Sequence, residues 1–376
     1  MTQINIGLIG YGYIGQVHTM VYKNLPILSP FFKDKYNMSL VVSKKLKNTK
    51  GLGWENLYST VDEISEETNL DIVDICTPNF LHCEQGKKFM EKGVNIYCEK
   101  PMALNYEDSL KMANLAEDKG LITQVALVYR FMPAVAKAKA IVESGLLGDI
   151  ISFRGELLHS SYLNPEREMN WRLRKEQSGG GAIVDLGVHV VDTLMFVLGD
   201  NNIKTLSART NTVIRERPDG DSKELSKVNV DDWGLIILEL ENESIGTIEV
   251  SKVNYNPNSN FHIDIYGTNG YLSISDKDPY NPIFNSFVGE NEREIFKEIN
   301  ENGYVKHINS IYPNGKMSMG PMVDMHAASI SNLLYNIIED KIVYKETPTF
   351  SESLISQKII DLSYKSSSKK GEVLII

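Results

Sequence analysis

Three polar side chains interrupt an apolar segment that follows three consecutive glycines. The segment SGGGAIVDLGVHVVD, residues 178–192, carries Asp185, His189 and Asp192 at positions i, i+4 and i+7. On a helix this spacing places Asp185 and His189 on one face. Histidine, whose ordinary pKa is about 6.5, can exchange a proton near neutral pH. The pattern therefore allows a packed core histidine, acid–base chemistry, or a metal site with two carboxylates and one imidazole.

A second candidate is Lys100 in CEKPMA, residues 98–103. The lysine follows a short strand-like run and precedes Pro101. An ammonium group held in place can stabilise negative charge that develops on an oxygen atom. A surface lysine is the alternative interpretation. Pro101 restricts the backbone at this point, and we predict that the Lys100–Pro101 peptide bond can be cis.

The element that starts the chain contains a glycine turn. INIGLIGYGYIGQVH, residues 4–18, has an apolar run, the pattern G-x-G-x-x-G at Gly10, Gly12 and Gly15, and then helical periodicity. This strand–turn–helix order favours a dinucleotide site, where glycines let a pyrophosphate approach the backbone and the helix N-terminus attracts it. We expect Tyr13 and Ile14 to lie beside the phosphates. A glycine-rich turn without a ligand is the alternative.

The second strand candidate, MSLVV at residues 38–42, is followed by Ser43, Lys44 and Lys45. Many dinucleotide folds have an acidic residue here that binds the adenosine ribose. None is present, and a hydroxyl with two cations suits a 2′-phosphate, so Ser43 and Lys44 tilt the cofactor toward NADP over NAD. A solvated lysine loop explains the residues equally well.

Strand and helix patterns alternate up to residue 128, with strands predicted at DIVDICT, NIYCEK and ITQVALV. Such alternation indicates a parallel sheet whose ligands gather at the carboxyl ends of the strands. Several polar residues lie at these ends: Thr77, Asn79, His82, Glu99, Lys100 and Tyr129. For Asn79 a helix N-cap is an alternative role, and for Glu99 a surface carboxylate.

Composition excludes some functions. The 376 residues are 42% hydrophobic and carry a net charge of −10, which disfavours nucleic acid and anionic membranes as partners. No apolar run approaches the length of a membrane span, and the first residues do not resemble a secretory leader, so we expect a cytoplasmic protein. The three cysteines, Cys76, Cys83 and Cys98, lack metal-ligand spacing and are interpreted as reduced packing residues.

After residue 150 the chain contains strand-like runs with few helices between them, which suggests largely antiparallel pairing. We predict an α/β protein with a Rossmann dinucleotide-binding domain over residues 1–129. An α/β domain with a large, mostly antiparallel open sheet is predicted over residues 130–376, with a C-terminal helix that can pack back toward the first domain. Residues 281–316 are interpreted as an insertion.

Taken together, the glycine turn, TPNFLH at 77–82, CEKPMA at 98–103, YRFMP at 129–133 and the segment 178–192 resemble the Gfo/Idh/MocA oxidoreductases. Residues 346–373 also resemble the tail of that family, so the likeness spans almost the whole chain. The resemblance implies hydride transfer between NAD or NADP and a sugar, inositol or related polyol. It also implies a sheet whose outer face forms an oligomer interface, as in a homodimer or homotetramer.

Oxidation of a hydroxyl needs a base for its proton and a cation beside its oxygen. The resemblance assigns these tasks to His189 and Lys100, with Asp185 binding a substrate hydroxyl and tuning His189. Substrate contacts are also expected from four further residues: Tyr129, Arg130, Trp171 and Arg172. Packing and a surface ion pair are the alternative for Trp171 and Arg172. Asp192 is expected to support the helix or His189, and no metal site is predicted because no further ligands have a suitable spacing.

Two other functions remain open. One is a redox-assisted glycosidase that keeps its NAD tightly bound. The other is a sugar-responsive binding protein without turnover, which the combination of Lys100, Asp185 and His189 disfavours because a binder needs no base and cation at a reacting carbon.

Overall fold

The computed structural model describes residues 3–199, 202–220, 224–255, 260–287 and 292–376. They form two compact units. The first contains Met1–Ala103, Glu107–Val128 and Ser310–Leu354; the second contains Leu104–Tyr106, Tyr129–Asn309 and Ile355–Ile376. The sequence predicts one uninterrupted domain over residues 130–376, whereas the structure divides this range between the two units. The segment that returns to the first unit is 310–354, whereas most of the C-terminal helix belongs to the second.

The first unit is built on a six-stranded sheet in the order β3-β2-β1-β4-β5-β6, in which every pair is parallel. This is the doubly wound order of a Rossmann fold. Its strands are β1 Ile4–Ile9, β2 Tyr36–Val42, β3 Asn56–Tyr58, β4 Ile72–Ile75, β5 Asn95–Cys98 and β6 Thr123–Val125. Its helices are α1 Tyr13–Leu28, α2 His82–Met90, α3 Tyr106–Asp118 and α9 Pro321–Ile338.

The central strands are apolar because both faces of this sheet are covered. Ile6 and Leu8 of β1 and Ile72 and Ile75 of β4 are completely buried. Helix α9 joins the unit through polar contacts as well, because the Gln124 side chain donates to the backbone oxygen of Ser329 at 2.8 Å. These contacts explain why a segment so late in the chain belongs to the first unit.

The second unit contains an eight-stranded sheet in the order β15-β14-β13-β7-β12-β11-β8-β16 and a separate hairpin of β9 and β10. The strands are β7 Ile150–Leu158, β8 Ile203–Asn211, β9 Glu216–Asp219, β10 Glu224–Lys227, β11 Trp233–Leu240, β12 Ile245–Ser251, β13 Phe261–Gly267, β14 Gly270–Ser275, β15 Ile283–Ser286 and β16 Leu374–Ile375. The helices are α4 Pro133–Glu143, α5 Lys175–Ser178, α6 Val188–Leu198, α7 Glu292–Glu301, α8 Gly303–Ile311 and α10 Leu354–Ser368.

Strands β7 and β12 pair in parallel, and the other pairs of this sheet are antiparallel, which confirms the predicted sheet. Helix α6 packs on β7 at Gly155, where a Cβ atom would lie only 2.5 Å from the side chain of Val190. The glycine therefore sets how closely the helix that carries His189 approaches the sheet.

One segment, Lys175–Leu198, is long and apolar enough by length and composition to cross a membrane. However, 83% of its apolar window is buried inside the fold, which is typical of a core helix.

The segment predicted as an insertion, 281–316, contributes β15, α7 and α8, while residues 288–291 of it lie outside the described part of the chain. The three cysteines are free, with Cys76 and Cys98 buried.

Candidate functional site

In the first unit the glycine turn leads from β1 into α1 as predicted. Gly10 has a φ of +97°, and a Cβ atom there would lie 2.8 Å from the carbonyl group of Cys76. At Gly15 a Cβ atom would lie 2.1 Å from the backbone oxygen of Gly10. These two glycines are required by the turn itself.

Gly12 differs because a Cβ atom there would have no described atom within 4 Å. It is the N-cap residue of α1, it makes no side-chain cap, and the first turn of the helix has no acidic residue. The start of helix α1 therefore has open space beside Gly12 and no side-chain cap, and this arrangement fits a pyrophosphate bound at the helix N-terminus. Tyr13 is 69% exposed beside it, and Ile14 is half-buried.

The end of β2 adjoins this turn, because the Gly10 N–H group donates to the backbone oxygen of Val42 at 3.0 Å. Ser43 follows directly and is buried, and its hydroxyl accepts the N–H group of Lys45 at 3.2 Å. Lys44 and Lys45 are exposed. The residues proposed to read the cofactor ribose thus lie beside the residues proposed to bind the phosphates.

Thr77 and Asn79, two of the predicted cofactor residues, follow β4. Thr77 donates its hydroxyl to the Gln85 side chain at 2.7 Å, and Asn79 lies within the short turn Asn79–Leu81. The N-cap residue of α2 is Leu81, so the alternative role of Asn79 as its cap is wrong.

His82 was expected to contact the cofactor, and its position corrects that expectation. Its ring is completely buried, with Nδ1 2.9 Å from the backbone oxygen of Pro101 and Nε2 2.8 Å from that of Thr77. Burial lowers the pKa of His82. Because both ring nitrogens face backbone carbonyls, the side chain ties the ends of β4 and β5 together.

Lys100 and Glu99 follow β5 directly. The Lys100–Pro101 peptide bond is cis, as predicted, and Lys100 is half-buried. Glu99 is only 7% exposed, which excludes the alternative of a surface carboxylate. Its Oε2 atom accepts the backbone N–H group of Lys100 at 3.2 Å.

In the second unit the three glycines have a structural task that the sequence analysis did not foresee. A Cβ atom at Gly179, Gly180 or Gly181 would meet Leu104 at 2.9 Å, the Tyr364 hydroxyl at 2.1 Å or the Asp231 backbone oxygen at 1.8 Å. The glycines are needed because the protein packs tightly against itself here.

Asp231 holds the start of the helical segment and was missed by the sequence analysis. Its carboxylate accepts the N–H groups of Gly181 and Ile183, each at 2.9 Å, and the Tyr364 hydroxyl at 2.6 Å. A buried carboxylate at a helix N-terminus satisfies N–H groups that have no partner within the helix. The only sequence signal for it was the acidic pair at 231 and 232.

Asp185 and His189 are the two half-exposed residues in a stretch that is otherwise buried from Gly180 to Val197. Asp185 lies in a π-helical turn, Ile183–Gly187, and His189 lies in the first turn of α6. Such turns are frequent at functional sites. Both side chains are therefore accessible in a segment that is otherwise packed inside the unit.

Lys252, which follows β12, was also missed. Its side chain is 1% exposed, and its Nζ atom lies 3.0 Å from Oδ2 of Asp185 and 5.1 Å from the ring centroid of Tyr162. A buried lysine thus orients the carboxylate that was expected to bind substrate. The apolar segment SIGTIEVSKV predicts a strand here but gives no sign of this contact.

Tyr129 lies beside His189, with ring centroids 5.1 Å apart. On its other side it packs against Phe261, with a centroid distance of 4.2 Å. Burial raises the pKa of Tyr129. The structure therefore brings Tyr129, a predicted substrate residue, next to the predicted base.

The contact between Arg130 and Asp192 corrects the prediction for Arg130. Arg130 was expected to bind substrate, but it is 3% exposed and donates Nε and Nη2 to the Asp192 carboxylate at 2.8 and 2.6 Å. Asp192 is equally buried, and burial raises its pKa while Arg130 opposes the shift. The pair fixes α6 to the start of the second unit. Because this carboxylate faces Arg130, the three acidic and imidazole groups of the helix do not converge on one metal ion.

Trp171 and Arg172 form a short 3₁₀ turn that Asn170 caps, and the guanidinium of Arg172 lies 4.3 Å from the centroid of the Trp171 ring. Both side chains are half-buried. The turn rests on a small apolar cluster that includes Tyr162, Met169 and Leu173. Cation–π contact and partial exposure are compatible with either of the two interpretations.

Comparison with models of protein families assigns the chain to a family. The model of an oxidoreductase family with an NAD-binding Rossmann fold matches residues 4–127, and the model of the GFO/IDH/MocA C-terminal domain matches residues 135–273. Together they cover more than half of the chain. The chain belongs to the Gfo/Idh/MocA oxidoreductase family.

Named relatives agree with this membership. A levoglucosan dehydrogenase of Pseudarthrobacter phenanthrenivorans is 32% identical over 293 residues, which is 72% of this chain and 73% of the relative. A glucose-6-phosphate 3-dehydrogenase of Bacillus subtilis is 27% identical over 70% of this chain and 71% of the relative. A solved levoglucosan dehydrogenase in complex with NADH and L-sorbose superposes with a TM-score of 0.87 at 26% identity, covering 100% and 99% of the two chains.

As a member of the Gfo/Idh/MocA family, the chain is an NAD-dependent oxidoreductase. Family membership explains why the glycine turn and the fold were predictable. It does not explain Lys252 or Asp231, which were found only from contacts.

Proposed function

We propose that the protein transfers hydride between a nicotinamide cofactor and a hydroxyl or carbonyl carbon of a sugar, inositol or related polyol. The observation that carries the proposal is the half-exposed pair Asp185 and His189 on an otherwise buried segment, with Lys252 against the carboxylate. The names of the relatives, which include dehydrogenases of levoglucosan and glucose 6-phosphate, support a sugar substrate.

Each residue has one task in this proposal. His189 takes the hydroxyl proton during oxidation and returns it during reduction. Lys100 polarises the reacting oxygen with its positive charge. Asp185 accepts a hydrogen bond from a neighbouring substrate hydroxyl, and Tyr129, Trp171 and Arg172 line the sugar. The nicotinamide, when bound, supplies the hydride acceptor or donor.

The glycine turn at Gly10, Gly12 and Gly15 holds the cofactor phosphates in this proposal, with Thr77, Asn79 and Glu99 on the nicotinamide side. We further propose that Ser43 and Lys44 accommodate the 2′-phosphate of NADP. Their position beside the turn and the absence of an acidic residue at 43–45 support this. Replacing Lys44→Glu should weaken NADPH binding about tenfold and leave NADH binding nearly unchanged. Equal effects on both nucleotides would refute this assignment.

The test is a panel of substrates, each incubated with NAD or NADP, in which the absorbance of the reduced nicotinamide measures conversion. Levoglucosan, glucose 6-phosphate, free hexoses and inositols are the first compounds to assay. His189→Asn and Lys100→Met should each lower kcat by about 100-fold or more, as loss of a general base or a polarising cation does. The variant Lys137→Met, which removes a buried lysine bound to Asn281 at 2.8 Å, is the control. Full activity in His189→Asn and Lys100→Met would refute the proposed roles.

A second activity has support from a specific comparison. A 2,7-anhydro-N-acetylneuraminate hydratase of Escherichia coli is 27% identical over 52% of this chain. An enzyme that oxidises its substrate transiently regenerates its own nucleotide and gives no net absorbance change. Cleavage or hydration of a glycoside or anhydrosugar, detected by chromatography in the absence of any absorbance signal, would favour this alternative. Sugar binding without conversion would favour a binding protein.

We also propose that the outer face of the eight-stranded sheet joins copies of the chain into a dimer or tetramer. Three large apolar side chains of this face, Ile237, Ile245 and Tyr266, are 42%, 51% and 38% exposed. Exposed apolar surface of this kind is typical of a protein–protein interface. Sedimentation of Ile237→Lys should show dissociation, and a monomeric unmodified protein would refute the proposal.

A further inference from the structure

Four titratable side chains meet inside the first unit, apart from the substrate residues. They are His18 of α1, Asp74 of β4, Glu99 after β5 and His326 of α9, and none is more than 7% exposed. Buried charges are costly unless they are paired, so a cluster of this kind needs an explanation. It joins the helix of the glycine turn to the ends of two neighbouring strands.

His18 is the centre of the cluster. Its Nδ1 atom lies 2.9 Å from Oδ2 and 3.1 Å from Oδ1 of Asp74. Its Nε2 atom lies 3.1 Å from Nδ1 of His326 and 3.4 Å from Oε1 of Glu99. One imidazole ring therefore has a carboxylate near each of its nitrogens.

The two carboxylates favour the charged form of His18. A neutral imidazole donates from one nitrogen only and would turn a lone pair toward one of the two carboxylates. An imidazolium donates from both, so Nδ1–H reaches Asp74 and Nε2–H faces Glu99 and His326. His326 then stays neutral and accepts through Nδ1. The positive charge of His18 offsets the two buried carboxylates.

Glu99 connects this cluster to Lys100. While Oε1 faces His18, Oε2 accepts the backbone N–H group of Lys100 at 3.2 Å. We propose that His18 is a positioning residue for Lys100. As a buried imidazolium between Asp74 and Glu99, it keeps the Glu99 carboxylate charged and oriented. The peptide group between Glu99 and Lys100 then holds Lys100 in place. The inference rests on the proposed function because it takes Lys100 as the polarising cation.

Electrostatics agrees with the geometry. Burial lowers the pKa of His18, but Asp74 and Glu99 outweigh it and raise the value to about 10. Burial raises the pKa of Glu99, but the hydrogen bond and charge of His18, together with the charge of Lys100, outweigh burial and lower the value to about 2. Burial and the charge of His18 lower the pKa of His326 to about 3.

The other titratable groups around the cluster are on the strands and helices that enclose it. Tyr22 donates to Asp74 at 3.0 Å, Cys76 lies 3.1 Å from Nδ1 of His18, and the Tyr97 ring lies 5.5 Å from the His18 ring. Burial raises the pKa of all three, so they stay neutral near pH 7. Burial also lowers the pKa of His82, although its contacts with the backbone oxygens of Thr77 and Pro101 oppose this shift. His18 and Lys100 are therefore the cations that act on Glu99 from within this set.

The charge state of His18 is tested on the full-length protein labelled with ¹⁵N-histidine. The signal of His18 is identified by its loss in His18→Gln. We expect two similar ring-nitrogen shifts, the mark of an imidazolium, from pH 6 to pH 9. Two widely different shifts at pH 7 would show a neutral ring and overturn the inference. This measurement needs no substrate.

The positioning role is tested by kinetics on unmodified protein, His18→Gln and the double variant His18→Gln/Glu99→Gln. Loss of the imidazolium leaves Glu99 buried without this cation, which raises the pKa of Glu99. We expect kcat of His18→Gln to fall about tenfold or more, with NADH affinity changed less than about threefold. Its kcat/KM profile should gain one ionisation on the acid side, which the double variant should lack.

His307→Gln, which removes a buried histidine of α8, is the matched control and should keep the unmodified profile. A His18→Gln profile of unchanged shape would overturn the positioning role. One equivalent of metal in purified protein that is lost in His18→Gln would also overturn it, in favour of a metal site at His18, Glu99 and His326. If Lys100→Met is fully active while His18 is an imidazolium, the proposed function fails and the charged cluster remains.

Discussion

Lys252→Met removes the cation that holds Asp185 while keeping a side chain of similar length. The ammonium lies 3.0 Å from Oδ2 of Asp185, and the lysine is 1% exposed while the aspartate side chain is 26% exposed. Methionine fits the apolar stem of the lysine but leaves the carboxylate without this partner. The change should therefore act on the orientation of Asp185 more than on the packing around residue 252.

The size of the effect follows from the kind of bond that is lost. A hydrogen bond to a charged group contributes about 1.5–3 kcal/mol when one partner is buried. The exposed part of Asp185 allows water to compensate in part, so we take about 2 kcal/mol. Because about 1.4 kcal/mol corresponds to a factor of ten, kcat/KM for the sugar should fall roughly 30-fold.

The assay compares kcat/KM in four proteins: unmodified, Lys252→Met, Asp185→Asn and the double variant. If Lys252 acts through Asp185, its replacement should matter less than about threefold once Asp185 is already asparagine. Thermal unfolding of each variant and the control Lys137→Met separate this effect from a general loss of stability. An unchanged kcat/KM in Lys252→Met, or an equal loss in both backgrounds, would refute the reasoning.

Three further predictions concern other parts of the chain. Gly12→Ala should weaken NADH binding at least about tenfold without lowering the melting temperature, because a Cβ atom there meets open space in the protein. Gly15→Ala should instead destabilise the fold by about 1–3 kcal/mol, because a Cβ atom there meets the backbone. The reverse pattern in calorimetry would contradict both assignments. Asp231→Ala should cost about 2 kcal/mol or more in urea unfolding, because it loses three hydrogen bonds, two of them from backbone N–H groups. Tyr364→Phe should cost less, about 1 kcal/mol, because it loses its bond to Asp231 and a bond from the Gly181 N–H group, which keeps Asp231 as an acceptor; equal losses would contradict the capping role. Because the pKa of His18 is raised to about 10 in the folded chain, its contribution to stability is complete below about pH 6.5 and is lost as the pH rises toward 10. Over this range the free energy of unfolding should fall by up to about 1.4 kcal/mol per pH unit, and His18→Gln should remove this slope.

Local sequence patterns predict both sheets of the fold. The first strand, the glycine turn and α1 follow one another within 25 residues, so a single window of sequence contains the whole signal. The alternation of strands and helices then predicts a parallel sheet, and the run of strands after residue 150 predicts an antiparallel one. The return of residues 310–354 to the first unit has no such signal, because it depends on contacts such as Gln124 with Ser329.

The candidate site was predictable in part. Lys100, Asp185 and His189 have side chains whose chemistry is apparent from their types, and the burial pattern keeps Asp185 and His189 accessible. Arg130 was misjudged because its type suits both substrate binding and a buried ion pair, and only its distance to Asp192 distinguishes them. Lys252, Asp231 and His18 were missed because their partners are 67, 50 and 56 positions away in the sequence.

The contacts also narrow which group of the helical segment can exchange protons with a substrate. Asp192 is buried and bound to Arg130 through two hydrogen bonds, so it cannot reach a ligand. Asp185 is accessible but lies against the ammonium of Lys252, and protonation would break that ion pair. His189 is half-exposed on the same face, and its nearest aromatic neighbour, Tyr129, stays uncharged near pH 7. Among the three polar residues of the segment, His189 is therefore the one that we propose for the acid–base role, and we propose Asp185 as an acceptor for a substrate hydroxyl.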